Sequence, residues 1–305
     1  MTRFFFVDVF ADRPLTGNPL ALVPDADDLT VPQMQAIARE FNQSETTFLL
    51  RPQEEGVDWR LRSFTPAGVE VDGAGHNALG AWLWLADQGL TGDRPTVTMR
   101  QRIGAEVLAV EILRAPGQPV RVVMDQGAPS FGKQVTDDNR LTAALGLEPR
   151  HLSPDAVAQV VSTGVAHLLV PLATREAVDA ATAQSRDLAT ILAEAGGEGC
   201  YLYTTAGDDG AAAYTRFFNP TVGIAEDPAT GTAAGPLAVA LVRSGRVPAG
   251  VPVLIEQGHR LGRPSRIRVD VTDDLVRLSG SGVITAHGEL RLAAPAEFSA
   301  GTGAE

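Results

Sequence analysis

Two stretches decide the reading of this chain: EVDGAGHNALGAWLWLADQG at Glu70–Gly89 and EDPATGTAAGPLAVALVRSG at Glu226–Gly245. Each opens on a Glu, soon reaches a Gly (Gly75 and Gly231), runs through an apolar segment and ends on another Gly at the same distance (Gly89 and Gly245). All of these residues share one offset between the copies, and Gln101 and Gln257 keep it. The pattern predicts helices over 76–87 and 232–244. The first has no charge between His76 and Ala86 while His76 is neutral, and the second has none before Arg243. A helix apolar all round is buried on all sides, and a glycine just past the end is a common helix stop.

The repeat extends upstream. Phe64-Thr-Pro66 answers Phe218-Asn-Pro220, and TGNPLALV at Thr16–Val23 answers TGVAHLLV at Thr163–Val170, now at a slightly shorter offset. A period of about 150 residues is far longer than solenoid repeats and matches one domain. The sequence therefore describes two homologous domains, each built of short strands around one central helix. The 31 Gly and 20 Pro residues, scattered between short apolar runs, support many short strands with tight turns. Strand candidates by alternation or β-branched content are 4–10, 21–23, 46–50, 97–101, 107–113, 120–124, 167–170, 201–204, 253–257, 267–271, 275–279 and 283–285. A helix over 31–41 carries a capping-box signature in Thr30 and Gln33, with Val31, Met34, Ile37, Ala38 and Phe41 on one face. A weaker helix is expected over 173–195, and the small, polar end 293–305 is expected to be a flexible tail.

Composition narrows the function. With 305 residues the chain is long enough for two cores, and its net charge of −12 repels nucleic acid and anionic membranes. No apolar run approaches the roughly 18 residues of a membrane span. The N-terminal apolar run is short and broken by Asp8, so no signal peptide is expected and the cytoplasm is the default location. Cys200 is the one cysteine, which excludes an internal disulfide, a Cys-rich metal site and any chemistry needing two thiols in one chain. The five His residues lack HxH or HExxH spacing, and no Walker A, dinucleotide or GxSxG motif is present, so no metal or cofactor is expected.

Both central helices begin at glycines, Gly75 and Gly231. Helix N-termini present unpaired N–H groups and the positive end of the dipole, a place for a carboxylate, although glycine there also simply permits a turn. Around these ends cluster Asp72, His76 and Asn77, then Glu226, Asp227 and Thr232. Thr232 suits a helix cap. A histidine opening a buried helix needs a partner or a ligand, and a satisfied structural histidine meets that need as well. Glu45, in NQSETTF at 42–48, has no obvious counterpart in the second copy, which points to a single acid/base or to a turn residue.

The ordered motifs Phe6–Phe10, Gly17-Asn-Pro19, Gln43–Thr47, Gly75-His76, Glu226–Gly231 and Gly262–Ser265 together resemble the PhzF-like (phenazine biosynthesis) family of the diaminopimelate-epimerase-like superfold. The resemblance runs from about residue 4 to 292. It implies an α+β fold of two pseudo-symmetric domains, each a bent mixed β-sheet or barrel wrapped around a central buried helix. The site would lie between them, and the protein would form a homodimer. The expected halves are 1–118 with 283–292, and 119–282. Related epimerases place a cysteine at the start of each central helix; here both are absent. The resemblance implies instead a cofactor-independent isomerase in which Glu45 acts as general base and then general acid, as in isomerisation of a dihydro-hydroxyanthranilate. His76 and Asp227 would orient a substrate amine or hydroxyl. Asn18 would line the same cleft, and Gly75, Gly231 and Thr232 would hold the carboxylate of a small, amino-acid-like substrate. An epimerase or racemase of another substrate, or a catalytically silent binding protein of the same fold, remain alternatives. The residues after Gly75-His76, Asn77 among them, depart from the commoner family pattern.

Overall fold

The computed structural model describes residues 1–208, 210–273 and 275–292, so the tail expected at 293–305 lies outside the described residues. The chain divides into two compact units. One comprises Met1–Leu15, Pro19–Val122 and the residues from Ser281; the other comprises Thr16–Asn18 and Val123–Gly280. In chain order the elements are β1 (Thr2–Val9), β2 (Asn18–Val23), α1 (Val31–Phe41), β3 (Thr46–Leu50), β4 (Trp59–Phe64), β5 (Glu70–Val71), α2 (His76–Asp87), β6 (Thr96–Ile103) and β7 (Glu106–Leu113). Then follow β8 (Arg121–Asp125), β9 (Ser130–Val135), α3 (Asp138–Ala144), β10 (Ala158–Ser162), β11 (Ala166–Pro171), α4 (Arg175–Ala180), α5 (Ser185–Ala195), β12 (Gly199–Thr204), β13 (Ala213–Asn219) and β14 (Ile224–Asp227). The chain continues with α6 (Gly231–Arg243), β15 (Val253–Gln257), β16 (Ser265–Thr272), β17 (Leu275–Gly280) and β18 (Gly282–Leu290).

The first unit is one mixed sheet in the order β18-β1-β2-β3-β4-β6-β7, with β5 a short antiparallel addition to β4. Pairs β2/β3 and β4/β6 are parallel, and each needs a crossover: α1 supplies one and α2 the other. The second unit runs β9-β10-β11-β12-β13-β15-β16-β17-β8, with β14 added to β13. Its parallel pairs, β11/β12 and β13/β15, fall at the same places in the order, crossed by α4 with α5 and by α6. The register repeats as well: Trp59 pairs with Gln101 and Ala213 with Ile255, an equal separation along the chain in both units. The fold is thus α+β, with one architecture built twice.

Each central helix is buried because it carries almost no charge that would need solvation. All residues of α2 from His76 to Leu85 are buried, and the helix packs on β1, β3 and β18. Gly80 permits this approach, since a Cβ there would lie 2.8 Å from Val9 Cγ2 and closer still to Leu20. In the second unit α6 packs on β10, β11, β16 and β17. The helix stops repeat bond for bond. Gly89 (φ +70) and Gly245 (φ +72) take the left-handed conformation; Leu90 N–H donates to Leu85 O and Arg246 N–H to Leu241 O.

The helix over 31–41 has the predicted bounds, and its Thr30 N–H donates to Gln33 Oε1 at 3.0 Å. The helix expected over 173–195 is instead two, α4 and α5. The break has visible causes. Thr182 and Gln184 N–H donate to Leu145 O and Ala144 O at the end of α3, while Arg216 Nη1 collects the carbonyls of Val178, Asp179 and Ala181. Six strands, β4, β5, β9, β10, β13 and β14, and the helix α3 go unmarked by the sequence pattern. β4 (WRLRSF) has no β-branched residue and alternates only over Trp59–Arg62, and β13 (AYTRFFN) is buried throughout, so its two faces leave no apolar–polar alternation.

Candidate active site

In the first unit the left-handed Asn42 ends α1 (φ +49), and the short turn after it delivers Glu45 immediately before β3. His76 is the first residue of α2. Their side chains meet, His76 Nδ1 lying 3.4 Å from Glu45 Oε2, with only 9% and 19% of their surfaces exposed. Burial pushes the imidazole down to about 4, so His76 is neutral at ordinary pH and the contact is not an ion pair. A neutral imidazole and a carboxyl group at this distance have one proton to share. The separation is longer than a formed hydrogen bond, as catalytic contacts often are before a ligand tightens them. His76 Nε2 is buried with no partner among the described residues.

The turn before α2 is tied by Asn77. Its Nδ2 donates to Gly73 O (3.0 Å) and Ser63 Oγ (3.1 Å), and its Oδ1 accepts from Gly75 N–H at 2.7 Å. The Gly75 N–H, expected to hold a carboxylate, is therefore already engaged within the chain. The donors of this helix start are the N–H groups of His76 and Asn77, which a first turn leaves without intrahelical acceptors.

In the second unit Asp227 is buried at the end of β14. Its Oδ1 accepts from Asn18 Nδ2 at 2.9 Å and its Oδ2 from Thr230 Oγ1 at 2.5 Å. Asn18 Nδ2 also donates to Ala229 O (2.8 Å). Arg263 fixes the segment carrying Asn18 by donating to Gly17 O (2.8 Å) and Thr16 O (2.9 Å), and Gly17 N–H donates to Pro264 O. This accounts for the Gly262–Ser265 motif. Gln257 holds the other side: its Nε2 donates to Asp227 O (2.7 Å) and Thr230 Oγ1, and its Oε1 accepts from Thr230 N–H and the Tyr201 hydroxyl. Gly231 opens α6, with Ala233 and Ala234 N–H turned to Thr230 O, so the Gly231 and Thr232 N–H groups are the terminal donors. Thr232 Oγ1 lies 3.2 Å from Nε2 of the buried His167.

The structure thus joins Glu45 with His76 in one unit, and Asn18 with Asp227 beside the Gly231–Thr232 helix start in the other. Sequence reasoning missed Thr230, Gln257, Arg263 and His167. Gln257 was visible as a repeat partner of Gln101, which holds Trp82 Nε1 at 2.7 Å. Glu226 and Asp72 need no catalytic role to explain them. Glu226 makes a two-bond pair with Arg216, repeating the pair of Glu70 with Arg62 in the first unit, and Asp72 packs where a Cβ on Gly104 would be. Cys200 is wholly buried and its thiol is pushed up by that burial, which makes it inert. Among the described residues no three His, Cys, Asp or Glu side chains gather as metal ligands, and no helix is long and apolar enough to cross a membrane.

Comparison with known proteins identifies the family. The family model for phenazine biosynthesis-like proteins (PhzC-PhzF) matches residues 7–288, and the chain belongs to that family. It is an isomerase, as its curated relatives are. The trans-2,3-dihydro-3-hydroxyanthranilate isomerase of Pseudomonas aeruginosa is 36% identical over 299 residues, 96% of this chain and 100% of its own length. The uncharacterized isomerase YddE of Escherichia coli is 32% identical over 301 residues, 94% of this chain and 97% of its own. The solved PhzF-family structure from Bacillus anthracis superposes with a TM-score of 0.88 at 27% identity, covering 95% of this chain and 99% of that one.

Proposed function

We propose that this isomerase shifts a proton between two carbons of a small, amino-acid-like carboxylate without a cofactor, the reaction class of its relative from Pseudomonas aeruginosa. The observation that carries the proposal is the Glu45–His76 contact, 3.4 Å between a carboxyl group and a neutral imidazole. The Glu45 carboxylate takes a proton from one substrate carbon: that C–H bond breaks and an O–H bond forms on Glu45. The electron pair moves into the substrate's conjugated system. The same O–H then breaks to form C–H at a second carbon on the same face, so Glu45 ends as it began. His76 donates Nδ1–H to the carboxylate and accepts at Nε2 from a substrate amine or hydroxyl.

Asp227, held by Asn18 and Thr230, is an acceptor for a substrate ammonium or hydroxyl. The substrate carboxylate is held by the Gly231 and Thr232 N–H groups and the Thr232 hydroxyl, at the positive end of α6. Gly75 contributes through the turn it fixes with Asn77. The register supports one carboxylate rather than two. His167 pairs with Gly199 across β11/β12, and the TGNPLALV and TGVAHLLV copies align His167 with Leu20 of the first unit. Continuing the β2/β3 register of Ala21 with Thr46 sets Leu20 opposite Glu45, so Gly199 is the counterpart of Glu45. A homodimer is part of the proposal and is tested by light scattering.

The test is the isomerisation of trans-2,3-dihydro-3-hydroxyanthranilate in deuterated water, read by proton NMR. The proposal predicts that the second carbon gains one hydrogen, which is the substrate's own proton except to the extent that the Glu45 O–H exchanges with solvent deuterium before delivery. Deuterium only at the original stereocentre, with inverted configuration, would establish an epimerase and sink the proposal.

A further inference from the structure

We infer that His167 is a positioning residue: its Nε2–H donates to Thr232 Oγ1, turning the Thr232 hydroxyl proton outward as a donor to the carboxylate oxygen of the ligand. The role assigned to the ligand rests on the functional reading above. The geometry of the pair does not.

His167 lies in the strand β11, 2% exposed, among Ala166, Leu168, Leu169 and Val170. The internal repeat supplies a control. The matching position in the first unit is Leu20, fully buried, so this site in the fold accepts an aliphatic side chain. An imidazole there costs free energy of burial, and among the described residues its hydrogen-bond partner is Thr232 Oγ1 at 3.2 Å. Thr232 in turn stands where the first unit has His76, at the offset shared by the two central helices. Each central helix therefore has in its first two residues a polar side chain that meets one on another element: His76 meets Glu45, and Thr232 meets His167.

The tautomer follows from the packing around the other ring nitrogen. His167 Nδ1 has no partner among the described residues. It faces Gly199, where an added Cβ would lie 3.2 Å from Nδ1 and 2.8 Å from Phe217 Cε2. The Phe217 ring stands edge-on at 90° with centroids 5.1 Å apart. That side is apolar and filled. A buried N–H without an acceptor is rarer and costlier than a lone pair without a donor, so the proton belongs on Nε2, with Nδ1 left as the bare lone pair. Burial also pushes the imidazole down to about 3, which keeps it neutral. With Nε2–H donating, Thr232 Oγ1 is an acceptor inward, and its own proton must point elsewhere. At the N-terminus of α6, beside the Gly231 and Thr232 N–H groups, that makes a third donor for one anionic oxygen.

The test combines a spectroscopic and a binding measurement on the full chain. Nitrogen-15 NMR of the imidazoles, with His167 assigned through His167→Gln, reads the tautomer directly. An Nε2–H signature is expected, and an Nδ1–H signature overturns the inference. Binding is measured with anthranilate and its uncharged amide, anthranilamide. His167→Phe and Thr232→Val should each weaken anthranilate about tenfold, the double variant no further, and anthranilamide should change little; tenfold corresponds to about 1.4 kcal/mol. His167→Gln, which keeps a donor at the equivalent nitrogen, should restore most of the affinity and guards against a misfolded His167→Phe. Weakening by Thr232→Val but not by His167→Phe overturns the positioning role. Equal wild-type affinity for anthranilate and anthranilamide overturns the carboxylate role. Failure of the isomerase reading would show only in turnover, and would leave the tautomer and the coupling of the two variants as measured.

Discussion

At the residue scale, Glu45 and His76 show what sequence reasoning could and could not reach. Both stood out because of where they sit: a carboxylate without a counterpart, and a histidine opening an uncharged helix. Their 3.4 Å contact could not be read from positions far apart in sequence on different elements. The neutrality of His76 could not be read either, because it comes from burial in the folded chain. Gly75 met a similar limit. A helix-start glycine was visible, but nothing marked Asn77 as the side chain that takes its N–H. Asn77 therefore carries a prediction. Asn77→Ala removes three hydrogen bonds from the turn. It leaves the buried Ser63 without that donor, and it should cost about 1–3 kcal/mol, measured by urea unfolding.

At the element scale, the two central helices and their glycine stops were legible because burial strips a helix of charge and αL stops select glycine. The register was not legible, since parallel strands with a whole helix between them in sequence leave no local pattern of their pairing. One repeated feature allows a matched comparison. Arg62 with Glu70 and Arg216 with Glu226 join the same two strands of each unit by two hydrogen bonds, but the first pair is 18% and 36% exposed and the second 8% and 13%. Arg216 also holds three carbonyls at the end of α4. Arg216→Met should destabilise by about 3–5 kcal/mol, the cost of breaking a buried pair, and Arg62→Met by about 1 kcal/mol or less. Equal effects in denaturant titration would contradict this reading of the two environments.

At the scale of the whole molecule, two buried neutral histidines tie stability to pH. His76 and His167 are pushed down to about 4 and about 3 by burial, whereas an unfolded histidine titrates near 6.5. Below about pH 6.5 the unfolded chain therefore binds more protons than the folded one. The stability these groups allow is fully present above that pH and is lost as pH falls toward the folded values. Between pH 7 and pH 5 each should remove about 2 kcal/mol. His167→Leu, chosen after Leu20 at the matching position, should shrink the loss over that interval by about that amount, and an unchanged pH dependence would contradict the burial argument.

The central claim is that one carboxylate moves the proton, and turnover by Glu45→Gln tests it most directly. The variant keeps the shape and the hydrogen-bonding reach of the side chain but cannot take up a proton. With trans-2,3-dihydro-3-hydroxyanthranilate as substrate, kcat should fall by about 10²–10⁴, the usual worth of a general acid/base, with KM changed far less and the fold intact by circular dichroism. Wild-type turnover by Glu45→Gln would contradict the account.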